Sequence, residues 1–80
     1  MPRFEFGLPQ LGDTTEEATV VKWLKQAGDE VAQGEPLVEV ETDKAEMVLD
    51  SPVTGRLAEI RVPEDTDCPV GQVLAVFDLP

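Results

Sequence analysis

Of the groups in this 80-residue chain that could carry chemistry, one primary amine stands apart. Lys44 lies in Glu41-Thr42-Asp43-Lys44-Ala45-Glu46, between the apolar runs Leu37-Val38-Glu39-Val40 and Met47-Val48-Leu49. Two short β-prone runs separated by a few polar residues read as a hairpin, which puts Asp43 and Lys44 at or near its tip. A turn lysine is ordinarily a solvated charge. Held on a rigid tip, however, the same amine can be reached by a modifying enzyme and then by several active sites, and this suits it to carry an attached group. Other chemistries lack their parts. The chain has no histidine, which removes serine–histidine and cysteine–histidine catalysis, and its single cysteine cannot build the usual zinc frameworks. No Gly-rich phosphate loop is present. The 17 acidic residues offer carboxylate pairs by chance, but nothing places two of them across a cleft. The chain is therefore expected not to be an enzyme on its own.

The elements that must position Lys44 come from an internal repeat. A shift of 37 positions sets Gly34 on Gly71, Leu37 on Leu74, Val38 on Ala75 and Val40 on Phe77. It also sets Val20 on Leu57, Trp23 on Ile60, Glu30 on Asp67 and Val31 on Cys68, while Gly28 meets Asp65 and Lys25 meets Val62 as mismatches. Both copies carry Gly-x-x-Leu followed by an apolar run. Two β units of one pattern imply a quasi-two-fold sandwich in which Lys44 closes the first unit and Leu79-Pro80 the second, at opposite ends.

Phe4, Phe6 and Leu8 alternate with polar residues and glycine, the period of a half-buried strand. Pro9 to Glu17 loses that period and reads as a loop. Ala18 to Lys25 is expected as a strand. A helix over Thr14 to Gln26 competes, but Thr19-Val20-Val21 and the later Gly28 favour the strand. Val31 is a short bridge, and Pro36 starts the strand that ends at Glu41. Met47 to Asp50 pairs back, Leu57 to Val62 mirrors the second strand, Pro63 to Asp67 is an acidic turn and Val73 to Phe77 is the last strand. Trp23 is assigned to the core. Residues 1–80 thus read as one all-β domain, a flattened barrel or sandwich.

A net charge of −11 argues against nucleic acid and anionic membranes as partners. It suits solubility, and equally weak steered encounters with basic surfaces. No apolar run approaches a membrane span, and no signal or transit pattern opens the chain. A bacterial cytoplasm is expected, or a mitochondrial matrix if a presequence has been omitted. Cys68, opposite Val31 in the repeat, reads as a buried apolar side chain.

Gly34-Glu35-Pro36-Leu37-Val38-Glu39-Val40-Glu41-Thr42-Asp43-Lys44-Ala45 resembles the attachment motif of lipoyl domains, from the acyltransferase component of 2-oxo acid dehydrogenase complexes. The resemblance continues through Leu8-Pro9-Gln10-Leu11-Gly12, Val20-Val21-Lys22-Trp23-Leu24 with Gly28-Asp29, Ser51-Pro52-Val53-Thr54-Gly55 and Val70-Gly71-Gln72-Val73-Leu74-Ala75-Val76. It departs at Thr14 to Ala18 and at Asp65, where relatives often carry glycine. The resemblance implies two four-stranded antiparallel sheets, and lipoic acid in amide linkage to Lys44, with Glu41, Asp43 and Ala45 as recognition residues at the turn. It also implies partner contacts from Gln10, Asp13, Thr14, Thr15, Glu16 and Glu17. The implied partners are a lipoate–protein ligase or lipoyl transferase, a thiamine-diphosphate-dependent decarboxylase, an acyltransferase catalytic core and a dihydrolipoyl dehydrogenase. The isolated domain is expected to be monomeric. A biotinyl carrier shares the fold, though its lysine is usually flanked by methionines, and an unmodified interaction module is the third reading. The identity of the 2-oxo acid stays open.

Overall fold

The computed structural model describes residues 2–10 and 16–80, which form eight strands. These are β1 (Arg3–Gly7), β2 (Glu17–Trp23), β3 (Glu30–Val31), β4 (Pro36–Glu41), β5 (Glu46–Asp50), β6 (Gly55–Ile60), β7 (Thr66–Pro69) and β8 (Val73–Asp78). They build two four-stranded sheets, in the orders β1-β8-β6-β3 and β5-β4-β2-β7, and every pairing is antiparallel. No helix occurs among the described residues. The expected architecture stands.

The two sheets are copies of one another down to their irregularities. At the 37-residue shift β4 falls on β8 end to end, and β2·β4 maps onto β6·β8. The bulge between Val20 and Lys22 maps onto that between Leu57 and Glu59. Likewise the shift between Pro36 and Val38 against β5 recurs in the partner ladder between Phe6 and Gly7, facing Ala75 and Val73. A bulge bends a strand and raises its twist, so each sheet curls over the same core in the same place. β5 matches β1 at an offset of 43 (Glu46 to Arg3), because nine residues, 8–16, join β1 to β2 whereas four, 51–54, join β5 to β6. The connection between β1 and β2 is thus the longer of the two by five residues.

Inward-facing side chains interdigitate between the sheets. Leu37 and Leu74 are both fully buried, as are Val40 and Phe77, and Val31 and Cys68 occupy equivalent buried sites. Trp23 is buried, as expected, and its indole N–H donates to the Val62 carbonyl at 2.9 Å. That bond lets a polar edge enter the core without cost. The mismatch of Gly28 with Asp65 disappears in three dimensions. Gly28 has φ 99° and Asp65 has φ 63°, and each donates its N–H across the interface, Gly28 to the Leu57 carbonyl and Asp65 to the Val20 carbonyl. Aspartate is among the few residues that accept this left-handed backbone.

Several expected boundaries shift. Glu17 belongs to β2 and not to the preceding loop, and β6 runs from Gly55 to Ile60 rather than from Leu57 to Val62. Thr66 and Asp67, expected in an acidic turn, open β7, where they pair with Val20 and Thr19. Only Cys68 of that strand is buried, so its sequence carries no readable alternation.

The pseudo-two-fold also relates two corners. The hairpin joining β4 to β5 turns through residues 42–45, and Thr42 donates its N–H to the Ala45 carbonyl at 2.8 Å. The equivalent corner joins β8 and β1 without a turn. There the Leu79 N–H donates to the Pro2 carbonyl at 2.9 Å, and Asp78 faces Arg3. That corner lies with Thr54 and Gly55, at the other end of β4 and β8 from Glu16 and Pro69. The lysine turn and the joined ends therefore lie at opposite ends of the strands.

Candidate functional site: the lysine turn

β4 and β5 pair up to Glu41 and Glu46, which leaves Thr42, Asp43, Lys44 and Ala45 to reverse the chain. Asp43 and Lys44 are therefore the two residues of the tip, and both are exposed. Neither has positive φ, which excludes the primed turns that usually close a two-residue hairpin. The Thr42 side chain fastens the turn instead. Its hydroxyl accepts from the Lys44 N–H at 3.2 Å and the Ala45 N–H at 3.1 Å, and donates to the Ala45 carbonyl at 3.2 Å. A hydroxyl has one donor and two acceptor sites, and all three are used. The backbone that carries the Lys44 side chain is thus held from both directions.

The remaining basic residues are placed differently. Arg3 and Arg56 both bind the Asp78 carboxylate, at 3.2 and 2.9 Å. The Arg56 hydrogen bond is the main reason the Asp78 carboxyl sits below the ordinary aspartate range; partial desolvation opposes it, and the charges of Arg3 and Arg56 add to it. Arg61 bridges Glu5 and Glu59 at 3.5 and 3.3 Å. It thereby spans the cross-strand neighbours of buried Val76 on the outer face of the first sheet. Lys25 pairs with Glu35 at 3.3 Å, and Glu35 is held below the usual carboxylate range by the Ala32 N–H first and then by Lys25. Lys22 lies within β2, opposite Glu39.

Beside the lysine turn runs an open groove of about 660 Å³, lined by Glu16, Glu17, Ala18, Thr19, Glu41, Thr42, Asp43, Asp67 and Pro69. Five of these are carboxylates and none is basic, so the lysine end of the molecule is strongly negative. The Thr19 hydroxyl donates to Asp67, which ties β2 to β7 along the groove floor. Cys68 lies beneath, its free thiol buried and pushed up in pKa by desolvation, then by Asp67 and Glu17. A thiol so placed is inert, in line with the reading of Cys68 as core.

Glu41 ends β4, and Asp43 and Ala45 flank Lys44 within the turn. Of the anticipated partner-contact residues, Glu16 and Glu17 line the groove next to Glu41 and Asp43. Gln10 is exposed after β1 and is not among the described residues that line it. Asp13, Thr14 and Thr15 lie outside the described residues. Two contributors escaped the sequence reading. Thr42 could have been found from its place before a two-residue tip, where a threonine hydroxyl commonly binds backbone two residues on. Asp67 could not, because it reaches the groove only through the β2·β7 pairing.

Comparison with known proteins narrows the possibilities. The family profile described as biotin-requiring enzyme, covering biotin- and lipoyl-attachment domains, matches residues 4–77. The chain is 43% identical over 77 residues to the dihydrolipoyllysine-residue acetyltransferase component of the pyruvate dehydrogenase complex of Bacillus subtilis, covering 96% of this chain and 17% of that protein. It is 50% identical over 68 residues to the same component from Mycobacterium bovis, covering 85% of this chain and 12% of that protein. The chain thus spans under a fifth of the length of these relatives. Among solved structures, the lipoyl domain of the 2-oxoglutarate dehydrogenase complex of Azotobacter vinelandii superposes with a TM-score of 0.76 at 27% identity, covering 95% of this chain and 98% of that one. A multi-domain long-chain acyl-CoA carboxylase matches at TM-score 0.79 and 23% identity, over 98% of this chain and 7% of the carboxylase, a likeness of fold.

Proposed function

The chain belongs to the biotin- and lipoyl-attachment family, and on that premise we propose that it is the lipoyl carrier domain of a dihydrolipoyllysine-residue acetyltransferase, with Lys44 the residue that takes lipoic acid. The observation that carries this reading is the placement of Lys44. It alone of the three lysines sits on a hairpin tip, whereas Lys22 is within β2 and Lys25 lies in the segment between β2 and β3. The site fits such a group. The acceptor is an exposed primary amine, its neighbour Ala45 is small, and the groove opens to one side of the tip without enclosing it. An amide-linked arm would leave the turn into solvent.

Once attached, lipoic acid supplies a dithiolane able to take up an acyl group and two electrons; the protein supplies position and recognition. Lys44 holds the arm through its amide and gives up its charge in doing so. Glu16, Glu17, Glu41, Asp43 and Asp67 then face an approaching partner with no lysine charge at the tip to offset them, which favours partners with basic rims and raises encounter rates. Tethering raises effective concentration, so each contact can be weak. The partners would be a lipoate–protein ligase or lipoyl transferase, a thiamine-diphosphate-dependent decarboxylase, the acyltransferase core and a dihydrolipoyl dehydrogenase, none of the chemistry being the domain's own. The names of the relatives support pyruvate as the 2-oxo acid served.

Intact mass of natively expressed protein, followed by peptide mapping, tests the assignment. A lipoyl adduct on Lys44 is expected. A biotinyl adduct, an unmodified chain, or an adduct on Lys22 or Lys25 would overturn it.

A further inference from the structure

We infer that Thr42 is a positioning residue for modification of Lys44: its hydroxyl presents the amine to the modifying enzyme, and the fold does not otherwise require it. The inference rests on Lys44 being the modified residue.

The geometry of the turn motivates it. A two-residue hairpin normally matches the twist of its strands through left-handed backbone at the tip, usually Asn-Gly or Asp-Gly. Here the tip is Asp43-Lys44 and neither residue is left-handed. An aspartate and a lysine on ordinary backbone do not by themselves hold one tip conformation. The Thr42 hydroxyl supplies the missing restraint by binding the Lys44 N–H at 3.2 Å, the Ala45 N–H at 3.1 Å and the Ala45 carbonyl at 3.2 Å. The Lys44 amide itself is one of its ligands, so the hydroxyl acts on the residue that bears the amine.

The pseudo-two-fold provides an internal control. The residue equivalent to Thr42 is Leu79, and its N–H binds the Pro2 carbonyl at 2.9 Å much as the Thr42 N–H binds the Ala45 carbonyl at 2.8 Å. That corner closes its ladder without a hydroxyl. The ladder therefore does not need one, and the threonine stands at the corner where the chain reverses and carries Lys44. Thr42 is half-buried, whereas Asp43, Lys44 and Ala45 are exposed, so it can hold the tip from beneath without covering Lys44. Because misplacing a reacting atom by about 1 Å can cost on the order of a hundredfold in rate, a loosened tip should slow modification even though the lysine is intact.

The test compares wild type, Thr42→Val and Thr42→Ser in the unmodified protein, with lipoate–protein ligase, ATP and lipoate. Valine keeps the shape and removes the hydroxyl; serine restores it. Modification is followed by intact mass and mapped to its residue. Amide hydrogen exchange at Lys44 and Ala45 is measured in parallel, with melting temperature as the control for folding. The expected result is a loss of at least about tenfold in kcat/KM for Thr42→Val, faster exchange at both amides, and recovery of both by Thr42→Ser. Thr42→Val modified at the wild-type rate, with wild-type protein modified on Lys44, would overturn the role of Thr42 and leave the carrier reading intact. Equal slowing of the serine and valine variants would overturn the assignment to the hydroxyl. Wild-type protein that takes no adduct on Lys44 would overturn the carrier reading and this inference with it.

Discussion

Exchanging Asp43 and Lys44 moves the amine while leaving composition and net charge unchanged. The bonds that shape the tip run from the Thr42 hydroxyl to the backbone at positions 44 and 45, and from the Thr42 N–H to the Ala45 carbonyl. The exchange replaces none of those atoms. Stability should then change by about 0.5 kcal/mol or less, as for exposed substitutions, which is roughly 2–4 °C in melting temperature for a domain of this size. The amine, by contrast, moves by about 3.8 Å at the Cα and leaves the tip in another direction. Given a cost near a hundredfold for about 1 Å of misplacement, the exchanged protein should be lipoylated at least about a hundredfold more slowly. A time course of intact mass with purified ligase reads this, and Lys44→Arg sets the zero. If the exchanged protein folded normally and were modified within about threefold of wild type, the ligase would be recognising a lysine in a flexible peptide, and the argument from a fixed tip would fail.

Further outcomes follow from the ladder and the turns. Alanine at Gly55 would put its Cβ 2.7 Å from the Asp78 carbonyl oxygen and 3.2 Å from Leu79 Cδ2. Forcing β6 and β8 apart should cost about 1–3 kcal/mol, seen as a lower urea midpoint; an unchanged midpoint would mean that the strands separate freely there. Gly28→Ala should destabilise by about 1–2 kcal/mol because of its left-handed backbone, while Asp65→Gly at the equivalent site should stay within about 0.5 kcal/mol, relief of strain being offset by added chain entropy; equal losses at both sites would contradict their equivalence. Asp78→Asn tests the double arginine clamp. The folded pKa of Asp78 is depressed, so the stability it contributes is present above the unfolded value of about 3.9 and is lost as pH falls through the lower folded value. The melting difference from wild type should therefore be constant near neutrality and close below about pH 4; a gap that persisted in acid would place its origin elsewhere.

The core was legible because burial enforces a period that a sequence displays. Leu37 with Leu74 and Val31 with Cys68 could be paired by sliding the chain on itself, and both pairs lie at equivalent buried sites. Trp23 was legible for the same reason. What stayed hidden depended on backbone or on distance along the chain. Gly28 and Asp65 share no side-chain property, and only their common left-handed backbone makes them equivalent. β7 is an edge strand with one buried residue, too little for a pattern. At the site, Lys44 could be placed on its tip from local sequence alone. The acidic groove could not be foreseen, because Asp67 and Glu41 meet through strand pairings that join distant segments.

The meeting of β1 and β8 at the corner opposite Lys44 has a mechanical consequence. Among the described residues, the Leu79 N–H and the Pro2 carbonyl are the outermost bonded groups of that antiparallel pair, and the Arg3 and Asp78 pair comes next. Tension applied at Pro2 and Leu79 would pull across the ladder and not along it, loading its bonds one after another from that corner, as a zipper is opened, instead of all together. In a longer chain that pulled on both of its ends, the domain would resist little once the first bonds gave way. The lysine turn, at the far end and held by Thr42 and the β4·β5 ladder, would be among the last parts to feel the load.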